Sequence, residues 1–229
     1  MPPKHFEWVV FDATGTLFFP SPEPAGAYLS VAQTHGLESP DSLDAMRRKL
    51  AAAMRNHFSA DAAKDPTDET RERARWKRIV ADCFADQSTI FIDRVFDDLW
   101  DHFAKCDQWM IYPDVESTLI RVRENGSRIA IASNFDARLR MIIDGFDIHD
   151  WFDEILISSE IGWCKPNVEF YHESARRLKL SQPDAALMIG DTKPGDVDAA
   201  IDAGWNALHL VRQHETSLSD LLSDVSTGT

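Results

Sequence analysis

Phe6-Glu7-Trp8-Val9-Val10-Phe11-Asp12-Ala13-Thr14-Gly15-Thr16-Leu17 opens on an apolar run of strand length and stops at an aspartate and a Gly-containing turn. Four more such runs follow: Arg128–Ser133 (RIAIAS), Glu154–Ser158 (EILIS), Ala186–Gly190 (ALMIG) and Ala207–Val211 (ALHLV). Helical patterns accompany them. Asp114–Asn125 places Val115, Leu119 and Val122 on one face and stops at Asn125-Gly126. Asn167–Leu180 brings Val168, Tyr171, Ala175 and Leu178 together, and Asp196–Ala203 ends at Gly204, suited to a left-handed cap. Apolar strands alternating with helices predict an α/β fold, a Rossmann-like parallel sheet with helices on both faces.

Between Pro20 and Tyr112 the pattern changes, and no strand is expected there. Leu43, Met46, Leu50, Met54, His57 and Phe58 recur at helical spacing, as do Trp76, Ile79, Val80, Cys83 and Phe84. Phe91, Ile92, Val95, Phe96, Leu99, Trp100 and Phe103 give the clearest amphipathic pattern. The expected division is therefore a core of residues 1–19 and 111–229, with an inserted helical domain over 20–110. Polar Asp61–Thr70, carrying Pro66, reads as its internal loop, and Ser219–Thr229 as a short helix with a frayed tail.

Composition narrows the function classes. The chain has 229 residues, enough to bury a core without disulfide or metal staples. Its formal net charge of −14 repels phosphate backbones and anionic lipid, so neither nucleic acid nor membrane is an expected partner. Three cysteines without C-x-x-C spacing argue for a reducing compartment and against a thiolate zinc site. No apolar run reaches the roughly 20 residues of a membrane span. Met1–His5 leads straight into the first strand, leaving no room for a signal peptide. The expectation is a soluble cytoplasmic protein with a small-molecule substrate.

In open parallel sheets, ligands bind beyond the carboxyl ends of the strands. There this sequence places Asp12, Ser133-Asn134 and Asp191, with Asp196 five residues beyond, and Lys165 just before a helix. A carboxylate attacks a phosphoryl group only when the repulsion between the two anions is cancelled. Mg²⁺, which prefers hard oxygen ligands, would do this between Asp12 and Asp191, and Lys165 as a point charge from another side. Ser133 and the amides of the first loop would bind the equatorial oxygens, and Gly15 would let the backbone approach the phosphate. Singly, each residue is an ordinary turn former or helix cap; four such elements in this order are not.

These four segments resemble the four motifs of the haloacid dehalogenase (HAD) superfamily, and the helical insert resembles its type-one cap. The resemblance spans essentially the whole chain. It implies Asp12 as nucleophile, Ser133 as the second-motif hydroxyl, Lys165 as the third-motif lysine and Asp191 with Asp196 as the fourth-motif acidic pair. Asn134 would position Asp12 or a substrate group. The implied activity is that of a Mg²⁺-dependent phosphatase of a small phosphorylated metabolite, working through an aspartyl phosphate on Asp12.

One position departs from the phosphatase pattern. Where such enzymes carry a second Asp as general acid and base, this chain has Thr14, whose carbonyl still serves Mg²⁺ but whose side chain moves no proton at neutral pH. The loop Asp12-Ala13-Thr14-Gly15-Thr16 is similar to that of P-type ATPases, with their longer-lived aspartyl phosphate. A metal-free 2-haloacid dehalogenase and a weakly active or inactive relative that binds a ligand or partner therefore stay open. Retention of both Asp191 and Asp196 speaks against the dehalogenase, which replaces the first of them.

Arg71, Arg73, Arg75, Lys77 and Arg78 crowd one helix of the insert and read as a solvated face, as do Arg47 and Arg48. Trp76 and the Phe91–Phe103 stripe read as packing, and Cys164 as a small buried residue. The histidines lack ligand spacing.

Overall fold

A computed structural model describes residues 5–38, 40–59, 62–212 and 217–227. The elements run β1 (Trp8–Phe11), β2 (Phe18–Pro20), α1 (Pro24–Thr34), α2 (Leu43–His57), α3 (Glu69–Cys83), α4 (Thr89–His102), β3 (Trp109–Ile111), α5 (Val115–Glu124), β4 (Arg128–Ser133), α6 (Arg138–Gly145), β5 (Glu154–Ile157), α7 (Ser158–Ile161), α8 (Val168–Leu178), β6 (Ala186–Gly190), α9 (Ala199–Asp202), β7 (Asn206–His209) and α10 (Leu218–Thr227).

Five strands form one sheet in the order β5-β4-β1-β6-β7, every pair parallel. Strand β1 is central: Phe11 stands opposite Ile131 of β4 and Ile189 of β6. Period-two alternation divides the apolar residues between two faces. Val9, Phe11, Ile129, Ile131 and Ile189 pack on Leu119 and Val122 of α5 and Leu139, Ile142 and Ile143 of α6. Trp8, Val10, Ala130, Ala132 and Met188 pack on Phe170, Tyr171 and Leu178 of α8 and Ala199 and Ala200 of α9. The α/β fold with both faces covered is thus the one expected.

Helices α1–α4, inserted between β2 and β3, bury an apolar cluster of their own. Tyr28, Met46, Leu50, Ile79, Val80, Val95, Phe96 and Leu99 form its centre. Ser42, Asp68 and Ser88 cap α2, α3 and α4 by accepting from the amide three residues on.

The structure corrects several details. A strand does occur between Pro20 and Tyr112: β3 pairs antiparallel with β2, Phe18 opposite Ile111, where the chain leaves and rejoins the sheet. Three-residue strands carry too little pattern to read. Helices α1 and α6 went unread because alanines in one and arginines in the other blur the apolar stripe. The helix expected at Asp196–Ala203 begins as a π-helical turn over Lys193–Asp198, followed by α9. Leu43 and Met54, expected on the buried face of α2, are exposed. Of the expected 61–70 loop, Asp61 lies outside the described residues and Glu69 already belongs to α3. Met1–Lys4 also lie outside them, while α10 occupies much of the expected tail. Among the described residues, no helix is long and apolar enough to cross a membrane.

Candidate active site

The central position of β1 decides where the site forms. Asp12 leaves the sheet between the ends of β4 and β6, its amide bonded to the Ile189 carbonyl at 2.9 Å. Asp191 follows β6 directly, and the π-helical turn brings Asp196 back over the strand end. One carboxylate oxygen from each of Asp12, Asp191 and Asp196 lies within 4.8 Å of the others. Asp196 is held there by the Thr192 amide, which donates to Oδ2 at 2.9 Å.

Two glycines permit this convergence. Gly15 adopts φ +88°, and a Cβ on it would overlap Asp191 Oδ2. A Cβ on Gly190 would overlap the Asp196 carboxyl.

The Lys165 ammonium is buried among the acids. Its Nζ donates to Asp12 Oδ1 at 2.8 Å, to the Ala132 carbonyl at 2.8 Å and to Asp196 Oδ1. Burial works to lower the lysine, but Asp12 and Asp196 outweigh it and hold the ammonium above the usual range. Burial pushes the Asp12 carboxyl up to about 7, Lys165 opposing and the Asp196 and Asp191 charges adding to the rise. Burial raises Asp191 too, with Asp196 beside it. Three carboxylates therefore share one ammonium. An all-oxygen donor set with that charge imbalance fits a hard divalent cation such as Mg²⁺.

Asn134 serves the lysine. Its Nδ2 donates to the Lys165 carbonyl and its Oδ1 accepts from the Lys165 amide, both at 2.7 Å. Through these two bonds Asn134 fixes the Lys165 peptide, and with it the lysine that donates to Asp12. Ser133 is buried at the end of β4. Gly15 donates to the Phe18 carbonyl, and Thr16, Leu17 and Phe18 all donate to the Ala13 carbonyl. These four amides close the turn on itself, and Asp191 lies against the open face of Gly15. Thr14 Oγ1 is buried without a hydrogen-bond partner among the described residues.

Other contacts were invisible in the sequence. Arg75, expected on a solvated face, is buried and ion-paired with buried Glu72. Arg75 also donates to Cys164 Sγ at 3.3 Å, next to Lys165. Burial pushes the Cys164 thiol up to about 11, with the Glu72 carboxylate adding to the rise. Glu69, at the start of α3, accepts from the Ala137 amide at 3.0 Å and from the Ser159 hydroxyl. His209 donates to the Asp191 carbonyl at 2.9 Å. Tyr171 donates to the Gly195 carbonyl at 2.6 Å, bracing the turn that carries Asp196. None of these follows a motif or a period, because each depends on which loops the fold brings together.

A strand-end aspartate facing a buried lysine and two further carboxylates, on a parallel sheet with a helical insert after β1, defines a class. A family model described as "Hydrolase: haloacid dehalogenase-like hydrolase" matches residues 6–204, and the chain belongs to that family. It is 30% identical over 208 residues to Haloacid dehalogenase-like hydrolase domain-containing protein 3 of Homo sapiens, covering 89% of this chain and 80% of that one. Over 102 residues it is 36% identical to Glyceraldehyde 3-phosphate phosphatase of Methanopyrus kandleri, covering 44% of this chain and 43% of the other. The fold matches a crystal structure of a HAD phosphatase from Thermococcus onnurineus with a TM-score of 0.66 at 18% identity, covering 96% of each chain.

Proposed function

We propose that this hydrolase is a Mg²⁺-dependent phosphatase acting on a small phosphorylated metabolite through an aspartyl phosphate on Asp12. The observation that carries the reading is the meeting of Asp12, Asp191 and Asp196, two of them, Asp12 and Asp196, paired with one buried ammonium. An ester-forming attack on a carbon–halogen bond uses Asp12 without a cation, and the dehalogenase pattern lacks the acid at the position of Asp191.

In this reading Asp12, the Thr14 carbonyl, Asp191 and Asp196 hold the ion. When bound, Mg²⁺ supplies the positive charge that lets a carboxylate approach a phosphate. An Asp12 oxygen attacks phosphorus as the bond to the leaving oxygen breaks, and that oxygen takes a proton from water. A second water then attacks phosphorus, the Asp12 P–O bond breaks, and the carboxylate is regenerated with release of phosphate and a proton. Lys165 works against the burial that raises Asp12 and offsets phosphoryl charge. Ser133 donates to a phosphoryl oxygen. Residues 20–110 act as a cap over the core of 1–19 and 111–229, excluding water and setting specificity. The three free thiols suit a reducing compartment such as the cytoplasm.

Hydrolysis of an aryl phosphate tests the reading. Activity should require Mg²⁺, disappear in chelator and return when the ion is restored. Halide release from 2-haloacids in chelator would replace this reading with the dehalogenase one.

A further inference from the structure

Behind the nucleophile loop, one guanidinium joins three segments of chain. Arg212, three residues beyond β7, donates through Nη1 to both carboxylate oxygens of Asp114 at 2.8 Å. Its Nη2 donates to the Thr16 carbonyl, and its guanidinium lies 4.0 Å from the centre of the Tyr112 ring. The side chains are largely withdrawn from water, Arg212 being 15% and Asp114 18% exposed. Asp114 also accepts from the Leu218 amide at 2.7 Å, and the Tyr112 amide donates to the Leu17 carbonyl at 3.0 Å. The clamp thus binds the turn after Asp12, the chain re-entering the core before α5, and the start of α10.

Thr16 needs such an anchor. It is fully buried, yet its Oγ1 has no hydrogen-bond partner among the described residues, so no side-chain hydrogen bond holds it. The same turn carries Gly15, pressed so close to Asp191 that a Cβ would overlap it. A shift of the Thr16 carbonyl therefore shifts Gly15 and Thr14 against Asp12 and Asp191. The contacts use the planar fork of arginine, one nitrogen on the carboxylate and another on the carbonyl. A lysine ammonium would meet one or the other as a point charge.

We propose that Arg212 is a positioning residue for the nucleophile loop: it holds the Ala13–Leu17 turn against Asp191 by tying the Thr16 carbonyl to Asp114. It touches no reacting atom. Its kinetic consequence rests on the phosphatase reading; its structural consequence does not.

The test uses the full chain with Arg212→Met and Arg212→Lys. Hydrogen exchange is followed by mass spectrometry, and turnover with an aryl phosphate and Mg²⁺. Amides of residues 15–18 should exchange at least about tenfold faster in both variants, with β4 and β6 unchanged. Turnover number should fall about 10- to 100-fold, as small misplacements of reacting groups do. KM should stay within about threefold, since ground-state binding is untouched. Arg212→Lys keeps a cation beside Asp114, so its melting midpoint should stay near that of the wild type while its turnover falls. A purely structural role would couple the two losses. Unchanged exchange at 15–18 in Arg212→Lys overturns the proposal, as does full turnover with a loosened turn. If Arg212→Met does not fold, Arg212→Lys decides alone. If the wild type hydrolyses no aryl phosphate, the phosphatase reading fails, and exchange at 15–18 still decides the clamp.

Discussion

The carboxyl edge of the sheet and the inserted helices bury their side chains by opposite rules. At the edge, charged groups are buried because each answers another: Lys165 meets Asp12, Asp196 and the Ala132 carbonyl, and Asn134 grips both ends of the Lys165 peptide unit. In the insert, burial is apolar, and ion pairs such as Arg73–Asp97 and Lys77–Asp93 stand in solvent. The insert departs from its own rule where α3 meets the core, through buried Glu72 and Arg75. Reacting groups need fixed places, whereas a module that must only be stable and fit over them can rely on non-directional packing.

The sharpest way to break that comparison is to neutralise the central charge. Asp12→Asn should lower phosphatase turnover about 10⁴-fold or more, because no other group takes the nucleophile's place. The same change should raise stability in chelator at pH 8. Burial lifts the folded-state Asp12 value from 3.8 to about 7, so the folded chain holds that proton more tightly than the unfolded one. The stability contribution is full below the unfolded value and is lost as pH rises through about 7. The gain from Asn should therefore be largest at pH 8 and shrink towards pH 4. Melting curves of both proteins across that range check it, and an Asn variant less stable at pH 8 would mean that pairing with Lys165 outweighs burial.

Thr14 gives the next largest effect. No side chain at this position moves a proton at neutral pH, so hydrolysis of the aspartyl phosphate should limit turnover. General acid–base help is typically worth about 10²–10⁴-fold, or about 3–5 kcal/mol of barrier. With a nitrophenyl leaving group the first step needs little protonation, and a product burst near one per enzyme should precede slow turnover. Thr14→Asp should remove the burst and raise the steady rate. Single-phase product release from the wild type, with no labelled enzyme trapped by rapid quench, would show that another step is slow.

The edge was legible in the sequence because a parallel sheet places residues by strand order. Parallel strands end on one side, so Ser133 and Asp191 fall on the edge that carries Asp12, and the structure adds that β4 and β6 flank β1. The bonds of Asn134 to the Lys165 peptide carry no sequence signal, because the partner of an amide depends on loop geometry. Arg75 was misread for a plainer reason. In a run with Arg71, Arg73, Lys77 and Arg78 it differs by nothing local, and contacts with Cys164 and the Phe58 ring take it out of water. The apolar stripes of α2, α3 and α4 announced helices, but no periodicity tells which of their polar residues will face a second body. Strands β2 and β3 escaped because three residues are too few to show a period.

Two arginines of the insert sharpen the comparison at its smallest scale. Each pairs with an acid three residues earlier on its own helix. Arg47 meets Asp44 and Glu23 with its side chain half exposed. Arg75 meets Glu72 with the two side chains 9% and 1% exposed. Removing one member of a buried pair leaves the other uncompensated, typically at a cost of about 3–5 kcal/mol. Glu72→Gln should therefore lower the melting midpoint by about 2–4 °C for each kcal/mol lost. It should also speed hydrogen exchange in α3 and around Cys164, since the Glu72 carboxylate accepts from Thr67 Oγ1 at 2.5 Å and from the Cys164 thiol at 3.3 Å. Arg47→Ala should leave the midpoint unchanged within measurement, at low and at high salt, because water solvates Glu23 and Asp44 as well as the guanidinium does. Equal losses from Glu72→Gln and Arg47→Ala would mean that α3 meets the core only loosely in solution, with Arg75 as wet as Arg47.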